Sequence, residues 1–164
     1  MKILITSDTH GSYTGISDYL ISHDDIDLII HAGDGQEDIK SIYYESKVKY
    51  YFVKGNNDYF SNAQEELFLN INNFKIFISH GHKYSVSLSY EFLVRKAREL
   101  GADIIIFGHT HKYVDQNIDG IRLLNPGSFT YPRDNNPGFL IMELNDDISI
   151  RRISKKEVDN DRIV

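Results

Sequence analysis

Five times along this chain a short apolar run stops directly at a cluster of Asp, Asn, Ser or His beside glycine. Lys2 to Ser7 leads into Asp8-Thr9-His10-Gly11, and Ile26 to Ala32 into Gly33-Asp34-Gly35. Tyr50 to Val53 precedes Gly55-Asn56-Asn57-Asp58. Lys75 to Ser79 precedes His80-Gly81-His82, and Ile104 to Phe107 precedes Gly108-His109-Thr110-His111. Such runs, bounded by polar residues, read as buried strands. Helical spacing lies between several of them. Ile16, Tyr19 and Leu20 mark a helix over Ser12 to Ser22, and a shorter one is expected over Glu37 to Tyr44. Over Tyr90 to Leu100, Leu93, Ala97 and Leu100 share a face, and Gly101 suits the C′ position. Strand and helix in alternation predict an α/β architecture with a parallel sheet.

The rest is read more coarsely. Leu67 to Ile71 and Lys75 to Ser79 are expected to pair across an Asn72-Asn73 turn. From Lys112 no helix pattern appears. Val114 to Ile118, Ile121 to Leu124, Phe139 to Leu144 and Ile148 to Ile153 read as antiparallel strands, and the charged tail from Lys155 is expected to fray. With 164 residues and no linker, residues 1–164 are expected to form one domain.

In open α/β sheets ligands collect beyond the carboxyl ends of strands, where every one of these clusters falls. The chain has no cysteine, so a transition metal here needs imidazole, carboxylate or amide ligands. Asp8 and His10 are expected to alternate on extended chain and point the same way, as are His109 and His111. Each motif alone is weak, since a lone histidine after a strand is more often a structural residue. Five of them in one order are hard to obtain by accident. A net charge of −6 argues against long nucleic acid as a partner. The opening MKILITSDTH is too short an apolar run for a signal peptide, and no stretch reaches the roughly 20 apolar residues of a membrane span. A cytoplasmic location is expected.

In this order, Asp-x-His, Gly-Asp, Gly-Asn-Asn-Asp, Ser-His-Gly-His and Gly-His-Thr-His resemble the calcineurin-like metallophosphoesterase superfamily. The variants, with Asn125-Pro126-Gly127-Ser128 and Pro132-Arg133, look most like its YfcE-like phosphodiesterase branch. The resemblance implies a four-layer α/β/β/α sandwich of the metallo-dependent phosphatase-like kind. It implies two divalent metal ions, manganese first, with a shell that also suits Fe, Co, Ni or Zn. Asp8, His10, Asp34 and His111 would hold one ion; Asp34, Asn56, His80 and His109 the other, with Asp34 bridging. Two such ions bring about +4, and Asp8 with Asp34 removes 2; a bridging hydroxide then leaves roughly +1, attractive to a phosphodiester monoanion.

The expected activity is therefore hydrolysis of small organic phosphodiesters by that hydroxide. Asn57 stands where many relatives carry the histidine of Gly-Asn-His, and an amide supplies no proton. His82 is the replacement candidate, completing a catalytic set with Asp34 and Asn56. Asn57, Ser128 and Arg133 are candidate substrate contacts; Tyr84, Phe129 and Tyr131 are weaker candidates for lining a pocket. His31 reads as packed against the site, His23 as solvated, and Asp58 as a loop-orienting residue. The rivals are a phosphomonoesterase, a cyclic nucleotide hydrolase, and a non-catalytic protein-binding scaffold such as the small subunit of retromer, which resembles this fold. A homodimer or homotetramer is compatible with the sequence.

Overall fold

The computed structural model describes residues 1–161. Strand β1 (Lys2–Thr6) leads to helix α1 (Thr14–Ser22), β2 (Leu28–His31), α2 (Gln36–Ser46) and β3 (Tyr50–Phe52). The hairpin β4 (Glu66–Ile71) and β5 (Phe74–Ser79) precedes a short 3-10 turn, α3 (Glu91–Leu100) and β6 (Ile104–Ile106). The described residues end with β7 (Tyr113–Ile118), β8 (Ile121–Pro126), β9 (Gly138–Leu144), β10 (Ile148–Ser154) and α4 (Lys155–Asp161).

Ten strands make two five-stranded sheets, ordered β10-β9-β1-β2-β3 and β4-β5-β6-β8-β7. Alternation along each strand sets the layers, because successive side chains face opposite ways. Ile3, Ile5, Ile30, Leu140 and Met142 of the first sheet meet Ile76, Ile78, Ile104, Ile106 and Leu124 of the second in a shared core. The opposite faces turn outward. Leu4, Ile29, Phe139 and Ile141 pack under α1, α2 and α4 residues such as Ile16, Ile39 and Val158. Phe77, Ile105 and Leu123 pack under α3 through Leu93, Val94 and Ala97. The architecture is the expected α/β/β/α sandwich.

Local signals hold where the chemistry is simple. Asn72 and Asn73 both take positive φ, 48° and 68°, as a two-residue hairpin turn demands. Gly101 caps α3 at φ 68°, its N–H reaching Arg98 O. Two expectations need correction. Residues 162–164 lie outside the described residues, but Lys155–Asp161 form a helix, and Val158, 2% exposed, anchors it to the outer core. Its start is a capping box: Glu157 Oε2 accepts from Ser154 N at 2.7 Å, and Glu157 N donates to Ser154 Oγ at 3.3 Å. The late strands are not all antiparallel, since β8 pairs parallel to β6 and antiparallel to β7.

Candidate functional site

Strands β1, β2 and β3 run parallel, as do β5, β6 and β8, so the carboxyl ends of both sheets open on one edge. Cross-links tie the two sets of loops together. His80, after β5, reaches the first sheet through Nδ1 and Ala32 O at 2.7 Å. His109 N, after β6, donates to Asp8 Oδ2 at 3.0 Å. Ser128 Oγ donates to Asp8 O at 2.8 Å, and Asn125 Nδ2 donates to Gly108 O at 2.8 Å. Gly108 has no room for a side chain: a Cβ there would sit 2.8 Å from Asp8 Oδ2.

Two tight groups of ligand atoms result. Asp8, His10 and His111 form one, and Asp8, Asp34 and His80 the other, each within 4.8 Å. His111 Nε2 lies 3.1 Å from Asp8 Oδ1 and 3.2 Å from His10 Nε2. Asp34 Oδ2 lies between the groups, 3.8 Å from His10 Nε2 and 3.4 Å from His80 Nε2. Asn56 Oδ1 sits 3.1 Å from His80 Nε2, and the His109 ring centre is 5.2 Å from that of His80. The structure thus brings Asp8, His10, Asp34, Asn56, His80, His109 and His111 to one place. The extended-chain reasoning for the Asp-x-His and His-x-His pairs is wrong, however. Asp8, His10, Asp34, His109 and His111 all have positive φ, between 44° and 67°. Left-handed backbone costs a non-glycine residue about 1–2 kcal/mol, and such strain gathers at functional sites.

Three buried networks hold these strained turns. Gly33 N donates to His31 Nδ1 at 3.2 Å, which fixes the proton of the neutral ring on Nε2, facing Thr9 Oγ1 at 3.1 Å. Thr9 donates to Asp38 Oδ2 at 2.5 Å, and Gly11 N donates to the same oxygen at 2.8 Å. Asp8 and His10 flank Thr9, so these hydrogen bonds hold their turn from behind. Burial pushes His31 down to about 4, so it stays neutral. Around Asp34, the Asp58 carboxylate accepts from the backbone N–H of Asp34, Gly35, Gln36 and Gly55, at 2.8–3.1 Å. Around His109 and His111, Asn125 accepts from Gly127 N and donates to Thr110 Oγ1. Asp38 and Thr9 escaped the sequence reading. Asp38 resembles any acid in a first helical turn, and only its burial marks it.

Charge and proton placement favour cations at this point. His80 and His111 each place Nδ1 against a backbone carbonyl, Ala32 O and Tyr131 O, so in the neutral ring the lone pair turned inward is on Nε2. Asp8 Oδ2 is satisfied by Ser7 Oγ and His109 N, whereas Asp8 Oδ1 is buried with no hydrogen-bond partner. Burial opposes ionisation of Asp34, yet the His80 hydrogen bond and charge and two donors from Asn57 hold it well below the usual carboxylate range. Burial likewise opposes protonation of His80, but Asp34 and Asp8 outweigh it and raise it. Asp8 raises His111 against its own burial. Burial, then the nearby His80 charge, lowers His109 and His82. Among the described residues no Lys or Arg lies within ion-pair distance of Asp8 or Asp34. An orphaned buried carboxylate oxygen facing inward-turned imidazoles fits a pair of divalent ions.

The remaining candidates divide. His82 lies beside this centre, its ring 5.4 Å from His80 and 6.2 Å from His109. Its Nδ1 is buried without a partner. Asn57 reaches the centre, with N and Nδ2 donating to Asp34 Oδ1 and Oδ2 at 2.8 and 2.5 Å. Arg133 is exposed and tied to His111 by its backbone N–H at 2.9 Å. Ser128 is fully buried, and its hydroxyl serves Asp8 O, Thr130 N and Tyr131 N. That side chain holds a loop and is closed to substrate. Phe129 is buried in the outer core, and Tyr84 turns to Glu66, so neither lines the site. Tyr131 stands at the rim, 6.1 Å from His10 ring to ring. His23 stacks on Tyr19 at 3.9 Å, far from these loops in the fold. No helix of the described residues is long and apolar enough to cross a membrane.

The calcineurin-like phosphoesterase superfamily domain profile matches residues 1–147. A probable metallophosphoesterase of Bacillus subtilis, YsnB, is 34% identical over 134 residues, 81% of this chain and 78% of that protein. A crystal structure from Streptococcus pneumoniae, described as a predicted phosphoesterase, superposes with a TM-score of 0.81 at 25% identity, covering 94% of this chain and 90% of that one. Vps29 of Entamoeba histolytica, crystallised with Zn²⁺, has a TM-score of 0.76 at 26% identity, covering 94% and 99%.

Proposed function

Because this chain belongs to the calcineurin-like phosphoesterase superfamily, we propose that it is a metal-dependent phosphodiesterase acting on small organic diesters. The observation that carries the reading is Asp8 Oδ1, a buried carboxylate oxygen with no hydrogen-bond partner, facing His111, His10 and His80. Asp8, His10, Asp34 and His111 would hold one divalent ion; Asp34, Asn56, His80 and His109 the other. Manganese is the first choice by likeness to the family, since a shell of imidazole, carboxylate and amide also suits Fe, Co, Ni or Zn. When bound, two such ions supply a hydroxide nucleophile at neutral pH and positive charge for the phosphoryl oxygens.

The chain's own groups do the rest. Asp8 and Asp34 leave the filled site modestly positive, which attracts a diester monoanion. Asn57 presents an exposed amide at the rim and steadies Asp34. Arg133 extends the positive rim beside His111. His82 is the proton donor for the departing oxygen. Its imidazole is held below the ordinary value in the resting protein, and an arriving anion reverses that balance.

A second reading, a protein-binding scaffold, draws on the likeness to Vps29. That protein was crystallised with zinc, so metal binding does not separate the readings, whereas turnover does. The test is hydrolysis of bis(p-nitrophenyl) phosphate by metal-stripped protein with and without Mn²⁺. Activity that returns with metal and exceeds that on p-nitrophenyl phosphate supports the diesterase. Metal binding without turnover supports the scaffold.

A further inference from the structure

Beside Asn57 the surface opens into a cavity of about 180 Å³ between the start of α2 and the loop after β3. Gln36 and Glu37 form one wall; Tyr59 and Phe60 form the other. Phe60 is 99% exposed, and among the described residues no ring or cation stacks on it. A lone exposed aliphatic residue needs no explanation, but an entirely uncovered phenyl ring beside a reaction centre does.

The loop that carries the ring is not loosely placed. Asp58, its neighbour but one, accepts four backbone N–H groups around Asp34 and Gly55. Ser61 is buried, and its N–H donates to Asp58 O at 3.0 Å. Both ends of Tyr59-Phe60 are therefore anchored while the rings project. Asn57 links the two places, since it lines the cavity and its amide touches Asp34. A group attached to a phosphate held at Asp34 has this cavity next to it. The walls suit a planar heterocycle: an aromatic face from Phe60 for stacking, and for its polar edge the Gln36 amide, which donates to Glu37 Oε1 at 3.0 Å and keeps its own oxygen as an acceptor.

Building on the phosphodiesterase reading, we infer that this cavity is a subsite for a nucleoside arm of the substrate, with Phe60 as the stacking face. The test measures, by calorimetry on the Mn²⁺-loaded full chain, the binding of AMP and of ribose 5-phosphate, which differ in the base alone. Stacking on one aromatic side chain predicts that AMP binds roughly tenfold or more tightly than ribose 5-phosphate. Phe60→Ala abolishes that preference and leaves ribose 5-phosphate unchanged, while Phe60→Tyr keeps it. Full exposure of Phe60 lets these variants fold. Equal binding of the two ligands by the unaltered protein, or a preference that survives Phe60→Ala, overturns the subsite. A change confined to oligomeric state overturns it too, and marks the ring as a contact between chains. Loss of metal-dependent turnover on bis(p-nitrophenyl) phosphate bears on the enzyme reading instead, because the calorimetry needs no turnover.

Discussion

The Nε2 atoms of His10 and His111, 101 residues apart in the chain, face each other at 3.2 Å. His111 spends its other nitrogen on Tyr131 O, so its inward Nε2 is open to a proton or to a cation. A cation replaces that proton. His111 is raised by Asp8, and His80 by Asp34 and Asp8 against burial. Protons therefore compete for the ligand atoms from near neutrality downward. Mn²⁺ affinity should fall as pH drops from 8 to 6, roughly tenfold per pH unit for each proton displaced. Calorimetry in buffers of different ionisation enthalpy counts the released protons. An affinity that does not change with pH would remove these imidazoles from the ligand set.

Thr9 is a positioning residue, acting through the strained turn of Asp8 and His10. Thr9→Val keeps the shape and cuts the link to His31 and Asp38. Mn²⁺ affinity should drop about 10–100-fold, the usual effect of losing a partner behind a metal ligand, and Thr9→Ser should restore it. A purely structural role lowers the melting temperature yet spares the affinity of the folded protein at 20 °C, and that outcome would sink the assignment.

His82 is assigned to the leaving oxygen, so the leaving group decides how much its loss matters. His82→Ala should slow diesters with alkoxide leaving groups by about 10²–10⁴-fold, as is usual for a general acid. Aryl diesters, whose phenolate leaves unaided, should slow far less. Equal slowing of both classes assigns His82 another role.

Acid stability carries the signature of His31. Its folded value of about 4 lies below the ordinary 6.5, so the unfolded chain takes up the proton first as pH falls. The stabilisation is complete above 6.5 and is lost as pH drops toward 4, on the order of 3 kcal/mol. Melting curves from pH 7 to 4.5 should show a smaller decline for His31→Gln than for the unaltered chain. Parallel declines would mean that His31 titrates normally.

Much of this was legible in the residues, and the gaps have physical causes. Strand alternation is a local rule, so Leu4 and Ile29 could be assigned opposite faces from Ile3 and Ile30 once the runs were seen. The convergence of the candidate ligands was legible because strand ends concentrate at one edge. The dihedrals at Asp8, His10 and His109 were not, since positive φ depends on contacts such as His109 N to Asp8 Oδ2, made across the whole chain. Asp38 and Thr9 were missed because nothing local distinguishes a buried acid from a solvated one. The burial of the Ser128 hydroxyl escaped notice for the same reason. The helix from Lys155 was a different failure, because Ser154 and Glu157 spell a capping box in plain view.

Titration of the metal-stripped protein with Mn²⁺, following bound ions per chain and bis(p-nitrophenyl) phosphate turnover together, tests the central claim most directly. Two ions per chain are expected, with the rate rising as the second site fills and with both lost in Asp34→Asn. A chain that takes up both ions without turnover, or that hydrolyses the diester equally well when stripped, contradicts the account.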